Sequence, residues 1–188
     1  MTIRLRAATR DDAADMAMLV NLAGEGMPKA LWARQADYGT DPLTVGAVRA
    51  QRDHGVLSWK NTTVAEVNGA LAGIVISCPV GADPVEVDSD THPMMRPLIK
   101  LQNHAPDTRF VNVVATKPIY QRKGVASALM DATEGRSGRA GMSVIVAGGN
   151  QQAVDFFAHR AYRTVEETPL IRGDWETDHT TWKLLRHP

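Results

Sequence analysis

The sequence has few of the features that commit a chain to a specialised class. Its one cysteine, Cys78, cannot form a disulfide within the chain, which suits a reducing compartment. There is no apolar run of about 18 residues and no apolar signal-peptide core at the N-terminus, so neither a membrane segment nor secretion is predicted. Lys plus Arg number 21, as do Asp plus Glu, so no net positive charge favours nucleic acid. A soluble cytoplasmic protein without nucleic-acid or membrane partners is therefore expected.

Two common phosphate-binding motifs are also missing. The chain contains neither the P-loop pattern G-x-x-x-x-G-K-[ST] nor the dinucleotide pattern G-x-G-x-x-G. Its histidines are scattered without metal-ligand spacing, so no metal site is predicted. With 188 residues, of which 44% are hydrophobic and 22% charged, the chain has the composition of one globular domain, and residues 1–188 are predicted to form a single domain.

The most informative stretch is residues 110–130. Residues 110–114, FVNVV, are typical of a strand buried on both faces, and Pro118 should end it because proline lacks the N–H that a sheet needs. Val125, Ala128, Leu129 and Ala132 then have the spacing of one helical face. The basic, glycine-containing turn between them leads into unpaired N–H groups at a helix start. Those donors, the helix dipole and two cations predict a phosphate or pyrophosphate site.

Other patterns place the remaining elements. A strand at 3–7 precedes a helix that begins after Thr9 and ends at Gly24. A second helix starts at Pro42 and runs toward residue 55, with Leu43, Ala47 and Val48 as its apolar stripe. The other predicted elements are a hairpin at 62–79 around Asn68-Gly69, a short helix within 94–104, a strand at 142–147, a helix capped by Asn150, and antiparallel strands at 162–167 and 180–185.

The turn resembles a known cofactor loop. Residues 118–126, PIYQRKGVA, are similar to the acetyl-CoA pyrophosphate loop of the GNAT superfamily of N-acetyltransferases. That loop has Gln or Arg, two residues, Gly, one residue, then Gly or Ala, and Gln121, Gly124 and Ala126 fill those positions. Asn150 and the aromatic residues after it resemble the second GNAT signature. Ala161 stands where the family usually has Gly, which implies a different helix cap or a strain of roughly 1 kcal/mol.

The resemblance implies a fold and a ligand. The fold would be α/β (α+β), with a mixed, mostly antiparallel sheet of about seven strands, flanked by helices and splayed between the fourth and fifth strands. Acetyl-CoA would be the co-substrate, with no metal. The cofactor-binding residues that the resemblance implies are Val114, Ala115, Thr116, Gln121, Arg122, Lys123, Gly124, Val125, Ala126, Ser127, Asn150 and Phe157.

The implied reaction is direct attack of a primary amine on the acetyl group in a ternary complex. Glu25, in the turn after the first helix, is the candidate base, because family members place acceptor-binding groups there. Phe157 occupies a position where the family often has a tyrosine that protonates the thiolate. Tyr162 is therefore the candidate acid, with Tyr120 or solvent as alternatives. The central strand offers Asn112 where some members carry a carboxylate.

Two functions remain open at this point. The first is N-acetylation of a small-molecule or peptide amine. The second is a non-catalytic acyl-CoA-binding or regulatory module, which the missing hydroxyl at Phe157 favours. Family habit also implies a homodimer, although no residue specifies one, and the acceptor is not encoded in a readable motif.

Overall fold

The computed structural model describes every residue, 1–188, and contains seven strands and six α-helices. Short 3-10 turns occur at Arg10–Asp12, Trp59–Asn61, Pro93–Met95 and Pro118–Tyr120. In chain order the longer elements are β1 (Ile3–Ala7), α1 (Ala13–Ala23), α2 (Met27–Ala33), α3 (Pro42–Ala50), β2 (Thr62–Val67), β3 (Ala70–Pro79), α4 (Arg96–Gln102), β4 (Arg109–Thr116), α5 (Val125–Glu134), β5 (Met142–Ala147), α6 (Gln151–His159), β6 (Arg163–Pro169) and β7 (Thr181–His187).

The strands form one sheet in the order β1-β2-β3-β4-β5-β7-β6. Strands β4 and β5 pair in parallel, whereas β1–β2, β2–β3, β5–β7 and β6–β7 are antiparallel. The expected mixed, mostly antiparallel sheet of seven strands is thus confirmed. The parallel ladder contains three residue pairs and stops at Val111 and Val144, although β4 continues to Thr116.

The residues group into two compact units. The first contains Met1–Cys78 and Asn112–Gly135, and the second contains Pro79–Val111 and Arg136–Pro188. The core of the first unit packs α1 against the β2–β3 hairpin, through buried side chains such as Met16, Leu19, Ile74 and Ile76. The largest fully buried side chains of the second unit include Leu101, Met142, Leu184 and Leu185. No helix has both the length and the apolar character needed to cross a lipid bilayer.

An ionic cluster around Arg6 joins three elements of the first unit. The Arg6 guanidinium donates to Glu66 on β2 at 2.6 Å and to both carboxylate oxygens of Asp12 at 2.8 Å. The Asp12 carboxylate also accepts the Thr9 N–H at 2.7 Å. The hydrogen bond from Arg6 is the main reason that the pKa of Asp12 lies below its usual range. The cluster fixes the start of the helical segment against the β1–β2 pair.

The hairpin forms as its turn sequence predicts. Strands β2 and β3 flank Asn68 and Gly69, whose φ angles are 51° and 79°. Both central residues of a type I′ turn need positive φ, which Asn and Gly adopt most readily. The strand predictions at 3–7 and 142–147 are confirmed residue for residue.

Helix α2 was not predicted, because Gly24, Gly26 and Pro28 together indicate a turn. Pro28 is the second residue of α2, where an absent N–H leaves no hydrogen bond unmade. Trp32 on this helix packs over Gly46 of α3, since a Cβ at Gly46 would lie 2.5 Å from the Trp32 ring. This contact turns Gly46 and Ala50 inward, and the predicted stripe residue Val48 is 52% exposed. The prediction that the second helix extends toward residue 55 was also wrong, since α3 ends at Ala50.

Two further burial predictions need correction. On α5, Ala132 is exposed, and the buried positions are Val125, Leu129, Met130 and Thr133. The buried face of α5 differs from the predicted one because the elements that cover the helix decide which residues are buried, and periodicity alone does not specify those elements. The central strand β4 is not buried along both faces, because Asn112 is exposed.

Candidate functional site

The connection from β4 to α5 is short and tied to the strand. Strand β4 ends at Thr116, and the Pro118–Tyr120 turn follows, as Pro118 predicted. The side-chain amide of Gln121 donates to the Thr116 carbonyl oxygen at 3.3 Å. The Lys117 N–H donates to the Ala72 carbonyl oxygen on β3 at 2.8 Å. The turn therefore has a fixed position relative to the end of the strand.

The start of α5 leaves backbone donors without helical partners. Gly124 is the N-cap residue with a φ of 83°, and it has no side chain with which to cap the helix. The first bond of the ladder runs from the Ala128 N–H to the Gly124 carbonyl oxygen at 2.9 Å. The N–H groups of Val125, Ala126 and Ser127 precede that bond and point out of the helix end. Residues 121–124 are exposed, so these donors face an accessible surface suited to an anion.

The two cations of the turn behave differently. The Lys123 ammonium donates to the Ile119 carbonyl oxygen at 2.8 Å and lies 5.9 Å from the centre of the Tyr120 ring. Arg122 is exposed and has a φ of 58°. Positive φ at Arg122 and Gly124 gives the turn the kind of backbone in which successive N–H groups form an anion-binding concavity.

The last residues of β4 lie close to β3. A Cβ at Gly73 on β3 would be 2.6 Å from the Ala115 carbonyl oxygen and 3.0 Å from Val125 Cγ1, so only glycine fits there. Val114 is half-buried and Ala115 is 7% exposed. The Thr116 hydroxyl is buried without a hydrogen-bond partner. The end of β4 thus carries a hydroxyl group that forms no hydrogen bond within the protein.

The second signature segment starts at the end of β5. Asn150 precedes α6, and its side-chain oxygen accepts the Ala153 N–H at 2.9 Å. The expected helix with an asparagine cap is therefore confirmed. Its predicted contact with the cofactor stays a prediction.

Phe157 and Tyr162 both lie inside the second unit. Phe157 is 2% exposed and packs edge-on against Tyr162, with ring centres 5.1 Å apart. Tyr162 is 3% exposed and also contacts the His187 ring at 5.2 Å. The structure gives both rings packing contacts. Phe157 as a cofactor contact and Tyr162 as the acid remain predictions, and their burial weighs against both.

The end of α6 decides between the two alternatives left open at Ala161. Ala161 has a φ of 64°, so the helix ends in the left-handed conformation without a glycine. The Tyr162 N–H donates to the Phe157 carbonyl oxygen and the Ala161 N–H to the Ala158 carbonyl oxygen, each at 3.0 Å. These two bonds define a Schellman motif. The family's usual cap is therefore kept, with the strain of a Cβ.

The candidate base is an exposed carboxylate of the first unit. Glu25 follows α1 in the three-residue link to α2 and has a φ of 49°. An ion pair that the sequence does not predict joins Asp15, in the first turn of α1, to Lys117, just after β4, at 2.7 Å. No sequence signal relates residues so far apart. The pair links α1 to the strand end that leads into the turn.

The predicted site residues thus fall into two sets. The first unit holds Glu25, the end of β4 and the turn with the start of α5. The second unit holds Asn150, Phe157 and Tyr162. No group of three or more His, Cys, Asp or Glu side chains is placed to hold a metal ion.

Solved structures of acetyltransferases share this fold. An N-acetyltransferase from Staphylococcus aureus Mu50 is 16% identical, with a TM-score of 0.69 over 97% of this chain and 98% of that chain. Ard1 from Thermoplasma volcanium is 14% identical, with a TM-score of 0.56 over 100% and 97%. The PaiA N-acetyltransferase from Thermoplasma acidophilum, solved in complex with coenzyme A, is 12% identical, with a TM-score of 0.53 over 100% of both chains. At these identities the likeness shows the fold.

The family follows from the sequence itself. The profile described as the acetyltransferase (GNAT) family matches residues 29–162, which is more than half of the chain. No curated protein sequence matches this chain. The protein therefore belongs to the GNAT family of acetyltransferases.

Proposed function

We propose that this protein is an acetyl-CoA-dependent N-acetyltransferase, with residues 1–188 acting as one catalytic domain. It would move an acetyl group to a primary amine of a small molecule or peptide. The observation that carries the proposal is the helix start at Gly124, where accessible N–H groups are left uncapped beside Arg122. Such a site suits a pyrophosphate. The likeness to PaiA, whose structure contains coenzyme A, supports the same ligand.

The pyrophosphate would lie on residues 121–127, with the pantetheine arm following the end of β4. Backbone groups of Val114, Ala115 and Thr116 would hold the arm and polarise the thioester carbonyl, as oxyanion-type donors do. The unpartnered Thr116 hydroxyl adds one donor at this strand end. On the second unit, Asn150 would contact the arm. Its side-chain oxygen caps α6 by accepting the Ala153 N–H, and its side-chain amide is the group that would contact the arm.

The transfer needs two proton movements. The amine lone pair forms a bond to the acetyl carbon, the carbon–sulfur bond breaks, the nitrogen loses one proton and the thiolate gains one. Glu25 is the proposed base, because it is an exposed carboxylate in the link between α1 and α2. Tyr162 was the predicted acid, but its burial makes Tyr120 or solvent the better donor. Tyr120 is half-buried and belongs to the turn that leads into the cofactor loop.

A second function is favoured by one observation. Phe157 has no hydroxyl, and Tyr162, whose ring contacts it, is 3% exposed. A protein with these features would bind acyl-CoA without transferring the acyl group quickly, as a regulatory module does.

Calorimetric titration with acetyl-CoA, followed by thiol release with pooled amines, separates the two functions. Binding with thiol release is the expected result. Binding without release across a broad pool would establish the binding module. Absence of binding would overturn both proposals.

A further inference from the structure

One polar side chain stands exposed in the middle of the sheet. Among the three central strands, β3 is buried over residues 71–77, and every β5 residue is buried or half-buried. On β4 only Asn112 is exposed. Asn112 is also the first β4 residue beyond Val111, where the ladder with β5 stops. The exposed amide therefore marks the place where the central strand becomes accessible.

The surroundings of Asn112 give it no structural task. Its side chain makes no hydrogen bond within the protein, and a strand alternates its faces. Val113 and Ala115 face the core of the first unit, so Asn112 lies on the other face with Phe110 and Val114. A polar group held by a packed strand, rather than by a loop, is positioned precisely enough to orient a ligand.

The chemistry of the side chain limits what it can bind. A carboxamide donates and accepts hydrogen bonds but does not titrate, so it can hold an amine nitrogen without removing its proton. Phe110, Val114 and Thr116, on the same face, carry no base either. This face of β4 therefore favours a nitrogen that arrives already neutral. At about pH 7.5 roughly one-third of a peptide α-amine is neutral, against roughly one part in 800 of a lysine-type amine.

We propose that Asn112 positions the acceptor nitrogen and that the acceptor is an α-amine, such as an amino acid derivative or a peptide N-terminus. This inference rests on the proposed acetyl transfer and adds the class of acceptor. The nitrogen still loses a proton after it bonds to the acetyl carbon, and either Glu25 or solvent accepts that proton. Binding by Asn112 comes first and selects which amines attack.

The first test compares matched acceptors on the wild-type protein. Lysine amide blocked on its ε-nitrogen and lysine amide blocked on its α-nitrogen are assayed beside pooled peptide α-amines and alkylamines, by thiol release at about pH 7.5. We expect α-amines to react at least about 100-fold faster, in keeping with their neutral fractions. Equal rates, or a preference for alkylamines, would overturn the acceptor class. No release with any amine, although acetyl-CoA binds, would refute the proposed function instead and remove the basis of the inference.

The second test concerns the side chain itself. We expect Asn112→Leu to raise the acceptor KM about tenfold, as the loss of a hydrogen bond to the nitrogen requires, with acetyl-CoA affinity unchanged. Asn112→Asp supplies a carboxylate that can act as a base, so the ratio of the rate with α-amines to the rate with alkylamines should fall at least about tenfold. Gln51→Leu, which removes an exposed amide at the end of α3, is the matched control and should change neither constant. If Asn112→Leu leaves the acceptor KM unchanged, or weakens acetyl-CoA binding equally, Asn112 does not position the acceptor.

Discussion

The chain contains two strand–turn–helix segments that are similar in layout but differ in how the N-terminus of the helix is capped. In the first, β4 leads through an exposed turn into α5, whose N-cap is Gly124 and whose first N–H groups have no side-chain acceptor. In the second, β5 leads through Gly148 and Gly149 into α6, whose first turn is capped by its own Asn150 at 2.9 Å. One helix start is left open for a ligand and the other is closed by the protein.

The difference shows how a common local structure is assigned to binding or to stability. An asparagine N-cap stabilises a helix by about 1 kcal/mol relative to alanine, whereas glycine has no side chain with which to cap and is roughly a few tenths of a kcal/mol less favourable than asparagine. The first segment gives up that contribution and keeps a concave, cation-bearing surface. The helix ends also differ, since α6 closes with a strained Ala161 and α5 with Gly135 at an ordinary φ of −61°. Stability and ligand access are thus divided between the two segments.

The largest effect is expected from Gly124→Glu. The new side chain must adopt a φ of 83°, and its carboxylate would repel a pyrophosphate at the helix start. We expect acetyl-CoA affinity to fall at least about 100-fold by calorimetry. Gly135→Glu at the other end of α5 adds the same charge and is the control. Equal affinity of the Gly124 variant and the parent would exclude this turn as the pyrophosphate site.

Asn150 offers the sharpest test of the comparison. Asn150→Asp keeps an oxygen for the Ala153 N–H, so thermal stability should hold, but it removes the amide donors proposed for the pantetheine arm. We expect acetyl-CoA affinity to drop about tenfold, the loss of one good hydrogen bond. Asn150→Ala should lower stability by about 1 kcal/mol as well. If the aspartate variant binds acetyl-CoA like the parent, Asn150 is a cap and nothing more.

Ala161→Gly should stabilise the protein. Glycine adopts the φ of 64° without a steric penalty, so relief of strain should raise the free energy of unfolding by about 1 kcal/mol. The greater conformational entropy of glycine in the unfolded chain offsets part of this gain. Chemical denaturation measures the change. Ala158→Gly, inside α6, should instead destabilise the protein by about 0.5–1 kcal/mol. A loss of stability at both positions would mean that the Schellman end is not strained.

The smallest effect is expected at Arg122. Because this cation is exposed and salt screens it, Arg122→Gln should weaken acetyl-CoA binding about threefold at low ionic strength and less at about 1 M salt. Arg52→Gln, an exposed arginine before the β2–β3 hairpin, is the control. Titration at two salt concentrations checks the prediction, and a salt-independent loss would assign Arg122 a structural role in the turn.

Local signals in the sequence account for the elements that were predicted well. The Asn68-Gly69 pair specifies its turn through backbone sterics, Pro118 ends β4 by lacking an N–H, and Asn150 caps α6 through its own side chain. Each of these effects acts within a few residues, so the sequence alone shows it.

Long-range packing accounts for what was missed. Helix α2 exists because Trp32 finds a glycine at position 46, and that contact also turns Val48 outward. The pair of Asp15 and Lys117 joins residues about 100 positions apart. The cofactor turn was predictable because a motif encodes it. Glu25, Tyr162 and Phe157 were harder to place, since their surroundings come from distant parts of the chain.

The ionic cluster at Arg6 has a consequence for synthesis on the ribosome. Arg6 and Glu66 are 60 residues apart, so at roughly 5–20 residues per second strand β1 waits about 3–12 seconds for its partner. Strand β3 then waits in turn, because Asn112–Gly135, which includes the end of β4, emerges only after Pro79–Val111, which belongs to the other unit. The edge of β3 that pairs with β4 must therefore remain unpaired while residues 79–111 are made, and translation speed through that segment becomes a determinant of the yield of folded protein.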